Sequence, residues 1–240
     1  MAGYESYSDQ KGWTLGFSCS EDDRAYFRAE FGAVVGAGRK LVELGFGNGG
    51  FLAFARQQGA EILGVEIQAG IVDKARAAGF AAFQSLEHLG PEHAGSVDAV
   101  VAIDVFEHLG HDTIRATLAT VEGLLKPGGV LILRAPNGQS PFGRRTQYGD
   151  CTHETVITPK KLEQLCFGRA LVVERALNPA RIALGKSPWH RLAKRGQFLA
   201  RDLCNLLISK VYGIGTTALD ENIVIWIRKT AAKVSGSGRG

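Results

Sequence analysis

The sequence shows no pattern typical of a signal peptide, a transmembrane helix or a zinc-binding cysteine motif. Its four cysteines are scattered without a C-x-x-C pair, which favours reduced thiols and argues against a zinc site. No apolar run approaches the roughly 18 residues that span a bilayer. The first residues have neither a basic start nor an apolar core. We therefore expect no transmembrane helix and no signal peptide, and we expect a cytoplasmic location.

Charge is divided unevenly along the chain. Residues 1–150 carry 13 Lys and Arg against 18 Asp and Glu, whereas residues 151–240 carry 15 against 6. The basic second part is either a solvated face or a surface for an anionic partner such as phospholipid, a phosphorylated carrier, an acidic glycan or RNA. A hydrophobic content of 45% and a charged content of 22% are ordinary for a folded chain.

A glycine-rich segment follows the first strand pattern. Apolar residues over 40–44 lead into Gly45, Gly47 and Gly49, and a helical pattern follows over 49–58. Glycine lets the backbone turn sharply and lets a ligand lie against it. The N-terminus of the following helix aims unpaired N–H groups into the same space. We therefore expect a nucleotide-type cofactor at this turn.

Strand and helix patterns alternate after this turn. Strands this apolar are buried on both faces, as in a parallel sheet covered by helices, and right-handed crossovers make the sheet doubly wound. The predicted strands are 40–44, 61–67, 81–84, 97–103, 130–134, 171–176 and 222–228, and the predicted helices are 20–35, 49–58, 69–78, 112–125, 158–167 and 189–212. Ligands of such sheets lie beyond the carboxyl ends of the strands.

The patterns divide the chain into five parts. They are an N-terminal segment and helix covering the cofactor cleft (1–37), an α/β core (38–177) with an acceptor loop (136–157), a basic amphipathic helical insertion (178–215), a final strand (216–230) and a disordered tail (231–240). The helix over 189–212 has three interpretations: a lid, a helix lying on a membrane surface, or an ordinary packed helix.

The cofactor can be chosen from the residues around the turn. Gly45, Gly47 and Gly50 satisfy G-x-G-x-x-G, and Glu66 follows at about the ribose-binding distance, which fits NAD as well as S-adenosylmethionine. Glu43 lies inside the strand, where a carboxylate is unfavourable beside a pyrophosphate and favourable near a sulfonium or ammonium group. Glu43 therefore favours S-adenosylmethionine over NAD.

Two further segments strengthen this choice. Asp104-Val-Phe-Glu-His108 follows the fourth strand, and Leu124-Leu-Lys-Pro-Gly-Gly129 forms a turn into the fifth. With the glycine turn, they resemble the class I S-adenosylmethionine-dependent methyltransferases over residues 38–136. A weaker resemblance, through Asp150-Cys-Thr-His153 to about residue 175, is to bacterial methyltransferases of polysaccharide and cell-surface glycan synthesis. The resemblance implies a doubly wound, mostly parallel seven-stranded sheet with an antiparallel last strand, and S-adenosylmethionine as cofactor.

The resemblance also implies a set of cofactor-binding residues. Those at the methionine end of the cofactor are Glu43, Gly45, Gly47, Asn48, Gly49 and Asp104, with His108 nearby. Those at the adenosine end are Glu66 on the ribose hydroxyls, Ile67 on the adenine face, and Gln84 and Ser85 at the adenine edge. Many relatives carry an acidic residue near Gln84, whose side-chain carbonyl can accept the same hydrogen bond. The simpler interpretation of Glu66 is a solvated charge at a strand end.

A hydroxyl acceptor must lose a proton during methyl transfer, so a general base is useful. His153 is the first candidate, with Asp150 to orient it, and His108 is the second. Alternatively, Asp150, Thr152 and His153 form an Asx-type turn that ties down the loop, and Glu107 and His108 merely begin and cap a helix. We predict no metal, because a set of Asp104, Asp150 and His153 has no recognisable ligand spacing.

These observations predict a methyltransferase that acts on an oxygen of a small molecule, sugar or glycan, including a glycan linked to a lipid carrier. The alternatives are an RNA or protein methyltransferase and a non-catalytic protein that binds S-adenosylmethionine. A nucleic-acid partner is not expected, because the basic part has few aromatics for stacking. Residues 189–212 are a candidate contact with the inner face of an anionic membrane. The sequence does not indicate an oligomeric state.

Overall fold

The computed structural model describes residues 16–183, 187–215 and 217–231. The strands of this part are β1 (Lys40–Leu44), β2 (Glu61–Val65), β3 (Ala81–Phe83), β4 (Val97–Ile103), β5 (Leu125–Pro136), β6 (Leu171–Leu177) and β7 (Asn222–Lys229). The helices are α1 (Glu21–Phe31), α2 (Gly50–Gln57), α3 (Ala69–Ala77), α4 (His111–Leu124), α5 (Arg144–Tyr148), α6 (Pro159–Leu165) and α7 (Pro188–Tyr212). Much of the predicted N-terminal segment and nearly all of the predicted tail lie outside the described residues, and the division into five parts stays a prediction.

The strands form a single seven-stranded sheet in the order β3-β2-β1-β4-β5-β7-β6. Strands β1 to β5 are parallel to one another, and β7 runs antiparallel to both β5 and β6. The strand order reverses beside β1, where the chain moves first outward to β2 and β3 and then back to β4. This is the point at which open α/β sheets bind their ligands. The predicted fold class is confirmed.

The core lies on both faces of the sheet. Side chains alternate along each strand, so neighbours such as Leu41 and Val42 on β1 enter different apolar clusters. The cluster that contains Leu41 also receives Phe51 and Phe54 from α2 and Phe31 from α1, all buried. Helices on both faces explain why the strands read as almost continuous apolar runs, and they leave only the strand ends open to a ligand.

Three segments differ from the expectation. β5 begins at Leu125 rather than 130, because its pairing with β4 continues through an irregularity in which Gly128 adopts a φ of +80°. The loop over 136–157 is not wholly irregular, since it contains the short helix α5. Glu107 lies in a 3₁₀ turn, Phe106–His108, and α4 begins only at His111 with Gly110 as its N-cap. Glu107 and His108 therefore belong to a separate short 3₁₀ helix and do not begin α4.

α7 is a 25-residue helix whose apolar side chains face outward. Exposed residues of this kind include Trp189, Leu192, Leu199, Leu203, Leu206, Leu207 and Val211. Ser209 is its buried residue, so the interpretation as an ordinary packed helix does not fit. Polar contacts hold it to the body, where Arg181 bridges Asp202 of α7 and Asp220, at 2.7 Å from each. Among the described residues, none of the helices combines the length and the hydropathy needed to traverse a bilayer.

Candidate active site

The turn after β1 is built by glycines in the left-handed region. Gly45, Gly47 and Gly49 have φ values of +65°, +47° and +75°, a conformation that costs other residues energy and glycine little. Space is also limiting: a Cβ on Gly45 would lie 2.5 Å from Cγ2 of Val105, and one on Gly49 would lie 2.2 Å from the ring of Phe17. The turn therefore brings its backbone close to the segment after β4.

Glu66, directly after β2, joins this turn to the second strand. Its Oε2 accepts a hydrogen bond from the N–H of Gly47, and its Oε1 accepts one from the N–H of Gln68, each at 3.2 Å. Glu66 is buried, and burial raises the pKa of its carboxyl group. A carboxylate has about four lone-pair sites, so two bonds leave capacity for a ligand. The interpretation of Glu66 as a solvated strand-end charge does not fit.

Glu66 lies in the wall of a cavity of about 300 Å³. The predicted adenosine-side residues Ile67, Gln84 and Ser85 line the same cavity. Ile67 leaves 60% of its surface exposed, which is unusual for an isoleucine beside a buried strand end. The side-chain amide nitrogen of Gln84 donates to the carbonyl of Ile67 at 3.4 Å, so its side-chain oxygen is the remaining acceptor. The cavity thus offers an apolar face, an amide acceptor and a carboxylate.

A larger cavity of about 730 Å³ adjoins the first, and both are lined by Gly45, Asp104 and His108. Glu43 on β1 lines the larger cavity and is buried, and its Oε2 has no hydrogen-bond partner among the described residues. The pKa of Glu43 is raised well above its ordinary value, mainly by burial and secondly by the nearby carboxyl group of Glu66. An acid in this state gains by contact with a cationic ligand.

Asp104 stands where the two cavities meet. It has a φ of +57°, which is uncommon outside glycine, and backbone strain of this kind clusters at functional sites. Its carboxylate forms a two-pronged ion pair with Arg134 of β5, including a 2.9 Å bond from Nε. Arg134 also donates to the hydroxyl of Tyr26 on α1 at 3.3 Å. The ion pair neutralises one charge at the entrance to the larger cavity.

The far wall of the larger cavity brings together Glu107, His108 and His153. Each offers one ligand-type atom, and these atoms all lie within 4.8 Å of one another. The two imidazole rings meet edge to face with centroids 4.7 Å apart. Glu107 is 1% exposed, its Oε2 has no hydrogen-bond partner among the described residues, and burial raises its pKa to about 8.

Backbone hydrogen bonds hold this group together across more than 40 residues. The carbonyl of Glu107 accepts from the N–H groups of Glu154 and Thr155 at 2.8 and 2.9 Å, directly after His153. Nδ1 of His153 lies 3.0 Å from the carbonyl of Gln147 in α5, and it must donate because a carbonyl only accepts. The loop over 136–157 is thereby fixed against the turn after β4.

Asp150 contacts its neighbour Thr152. Its Oδ1 accepts from the N–H and the hydroxyl of Thr152 at 3.0 and 2.6 Å, as expected for the Asx-type turn. Oγ1 and the carbonyl of Thr152 lie 3.0 and 3.3 Å from Nδ1 of His108. The hydroxyl proton goes to Asp150, so Nδ1 of His108 is the donor. Asp150 therefore reaches His108 through Thr152, and its predicted orientation of His153 stays a prediction.

Nearly all of the predicted site residues come together at these two cavities. The larger is lined by Glu43, Gly45, Gly47, Asn48, Asp104, His108, Asp150 and His153, and the smaller by Gly45, Glu66, Ile67, Gln84, Ser85, Asp104 and His108. Gly49 lines neither and instead faces Phe17. Sequence reasoning did not include Tyr26, Glu107, Arg134 or Thr152 among the site residues. The adjacency of Glu107 and His108 at the end of a buried strand was the available signal for Glu107.

Comparison with known proteins finds relatives for the central part of the chain. Residues 42–133 match the family model described as "Methyltransferase domain". A ubiquinone biosynthesis O-methyltransferase from Xanthomonas oryzae pv. oryzae is 32% identical over 108 residues, which are 42% of this chain. Those residues are 44% of that protein, so the chain matches less than half the length of this curated relative.

Solved structures share the fold over nearly the whole chain. A SAM-dependent methyltransferase from Archaeoglobus fulgidus has a TM-score of 0.60 and 22% identity, with 87% of this chain and 94% of that one covered. A geranyl diphosphate C-methyltransferase from Streptomyces coelicolor A3(2), in complex with S-adenosyl-L-homocysteine, has a TM-score of 0.53 and 17% identity. It covers 87% of this chain and 76% of that one. Residues 42–133 thus match a methyltransferase domain model, and the chain shares its fold with solved SAM-dependent methyltransferases.

Proposed function

We propose that this chain transfers the methyl group of S-adenosylmethionine to an oxygen atom of a small molecule. The observation that carries the proposal is the adjacency of two cavities that share Gly45, Asp104 and His108. The smaller one has the features of an adenosine site, and the larger one presents carboxyl and imidazole groups. A donor that extends from the first into the second brings its sulfonium to the shared boundary, where an acceptor can attack in line from about 3–3.5 Å.

Each end of the cofactor has a matching group. Glu66 accepts the ribose hydroxyls with its remaining lone pairs, and Gln84 accepts the adenine amino group. Ile67 packs on the adenine ring, which accounts for an isoleucine with 60% exposure. Glu43 faces the ammonium or sulfonium charge, because a buried carboxyl oxygen without a hydrogen-bond partner is stabilised by a cation.

The acceptor occupies the larger cavity beside His108 and His153. The name of the Xanthomonas relative, an O-methyltransferase of ubiquinone biosynthesis, supports an oxygen acceptor. A sugar or a glycan linked to a lipid carrier is the second acceptor class, supported by Arg145 in the cavity wall. His153 as general base belongs to this proposal, and its Nδ1–H bond to Gln147 places the proton-accepting lone pair on Nε2.

We propose further that α7 contacts an anionic membrane surface. Its exposed stripe of leucines, with Trp189 and Val211, recurs at three- and four-residue intervals, and the helix carries five Arg and Lys against one Asp. This pattern is typical of interfacial helices. Sedimentation with anionic and neutral vesicles tests it. Leu203→Glu should abolish retention by anionic vesicles, whereas Gln197→Glu, which makes the same charge change, should retain it; equal absence of wild-type binding to both vesicle types contradicts the proposal.

The methyl-transfer proposal is tested by calorimetry and by product release. S-adenosylhomocysteine should bind with one-to-one stoichiometry, whereas NAD should not bind. Formation of S-adenosylhomocysteine from S-adenosylmethionine is then measured over phenolic, sugar, lipid-linked and RNA acceptors. Turnover with RNA, together with salt-dependent retention on RNA, would favour the RNA alternative. Cofactor binding without turnover over the whole panel would favour a non-catalytic binding protein, and NAD binding in place of S-adenosylhomocysteine would refute the proposal.

A further inference from the structure

We propose that Glu107, His108 and His153 bind a divalent transition-metal cation in the larger cavity. Their ligand-type atoms lie within 4.8 Å of one another. Two ligands of one zinc ion lie at most about 4 Å apart, since each bond is about 2.0–2.2 Å long. Side-chain adjustments of about an ångström therefore close the site. Two imidazoles and one carboxylate form a known three-ligand set for catalytic zinc, with the remaining position open.

The hydrogen bonds of both imidazoles agree with a role as ligands. Metal-binding histidines almost always donate their second ring N–H to a carbonyl or a carboxylate, which fixes the ring and its tautomer. Here Nδ1 of His153 donates to the carbonyl of Gln147, and Nδ1 of His108 donates to Thr152, which is bonded to Asp150. In both rings this places the lone pair on Nε2, the form that a metal requires.

Glu107 supplies an independent observation. Its side chain is 1% exposed and belongs to the wall of the larger cavity, and its Oε2 has no hydrogen-bond partner among the described residues. A buried carboxylate oxygen without a partner is costly, and coordination of a metal is one of the few ways to satisfy it. The carbonyl of Glu107, bonded to the N–H groups of Glu154 and Thr155, keeps His153 beside it.

The surrounding charges also favour a cation. Asp104 is paired with Arg134, and Glu107 and the Thr152-bonded Asp150 are further acidic groups in the wall of the same cavity. Imidazole ligands suit Zn²⁺, whereas oxygen ligands suit Mn²⁺ and Mg²⁺, so we expect Zn²⁺ to bind more tightly than either of the other two ions. This order is itself measurable and distinguishes the site from a carboxylate cluster.

With the cation bound, Nε2 of His153 is a ligand and no longer a general base, and the cation itself promotes deprotonation of the acceptor; this part of the inference rests on the proposed function. An acceptor hydroxyl that binds at the open position loses its proton to water more readily, because the cation stabilises the oxyanion. The oxyanion attacks the methyl carbon, an O–C bond forms, and the C–S bond breaks with its electron pair going to sulfur. The products are a methyl ether, S-adenosylhomocysteine and a released proton.

Calorimetric titration of chelator-treated, tag-free protein with ZnCl₂, MnCl₂ or MgCl₂ tests the site without any activity assay. We expect one Zn²⁺ per chain, and we expect Glu107→Gln and His153→Ala each to weaken its binding at least tenfold. His111→Ala is the matched control, because His111 is exposed, begins α4 and lines neither cavity. Its affinity for Zn²⁺ should equal that of the wild type.

Binding of S-adenosylhomocysteine by each variant shows that the variant is folded. The cation site is overturned if Glu107→Gln binds Zn²⁺ as tightly as the wild type does. It is also overturned if the wild type binds none of the three ions. If protein shown to be metal-free transfers methyl groups at the full rate, the catalytic role of the cation is overturned, while the proposed function stands. If instead S-adenosylhomocysteine does not bind to the wild type, the proposed function fails, and the Zn²⁺ titration still decides the cation site.

Discussion

Glu66→Ala isolates the contribution of one carboxylate to cofactor binding. In the structure this side chain accepts hydrogen bonds from Gly47 and Gln68 at 3.2 Å each, and it lines the smaller cavity. Those two bonds exist with and without the cofactor, so they cancel in the binding free energy. What the substitution removes from the complex is the pair of proposed bonds to the ribose hydroxyls.

Hydrogen bonds to a charged acceptor contribute about 1.5–3 kcal/mol each. Even one such bond corresponds to at least a tenfold loss of affinity, because about 1.4 kcal/mol is a factor of ten. The free energy of unfolding should change by less than about 2 kcal/mol, since the loss of an acceptor for two N–H groups is offset by removal of a buried carboxyl group. We therefore expect a large effect on binding and a small effect on folding.

The assay is titration calorimetry with S-adenosylhomocysteine, with thermal unfolding of the same samples. Glu61→Ala is the matched control, because Glu61 begins the same strand, is 59% exposed at its side chain and pairs with Lys40. Glu66→Gln keeps one acceptor oxygen and should lie between the alanine variant and the wild type. An affinity of Glu66→Ala within twofold of the wild type would show that the ribose does not contact this carboxylate.

Three further substitutions test the two cavities. Gly47→Val should abolish S-adenosylhomocysteine binding in calorimetry with the circular dichroism spectrum retained, because valine is strained at a φ of +47° and its side chain enters the turn; full binding would place the cofactor elsewhere. Thr152→Val should weaken Zn²⁺ binding about 10- to 100-fold by removing the hydroxyl that accepts from His108, and unchanged affinity would exclude this support. Glu43→Gln should become increasingly stable relative to the wild type in denaturant titrations as pH rises from 5 to 8. Burial raises the folded-state pKa of Glu43, so the wild type loses free energy of unfolding as pH rises through that pKa, because the carboxyl group must then be buried in its charged form. A difference in free energy of unfolding between variant and wild type that stays constant with pH would refute this reasoning.

The sheet could be predicted from the sequence because a parallel sheet imposes a simple pattern. Strands buried on both faces read as apolar runs, and the predicted bounds of β1 and β4 agree with the structure. β5 could not be bounded in the same way, because a segment with Pro127, Gly128 and Gly129 has the composition of a turn. Only its pairing with β4 across an irregularity shows that the strand has already begun.

Local patterns also point to the residues of the proposed cofactor side, because these residues follow directly from the strand ends. Local patterns do not point to the proposed acceptor side, because it depends on contacts between distant segments. Glu107 becomes a neighbour of His153 only when the loop over 136–157 folds back and donates to its carbonyl. The route from Asp150 through Thr152 to His108 likewise spans more than 40 residues. No local pattern encodes the distance between such groups.

The left-handed backbone of Asp104 links the two sides of the site. Asp104, with a φ of +57°, connects β4 to the following 3₁₀ turn, which places Glu107 in the wall of the larger cavity and His108 in the walls of both. An extended residue at this position would carry the chain away from the sheet edge and separate the carboxyl end of β4 from the loop that carries His153. The ion pair with Arg134 stabilises this strained residue. The geometry of the proposed methyl transfer therefore depends on a backbone conformation at one position, and the same position brings the proposed cation ligands to the boundary between the two cavities.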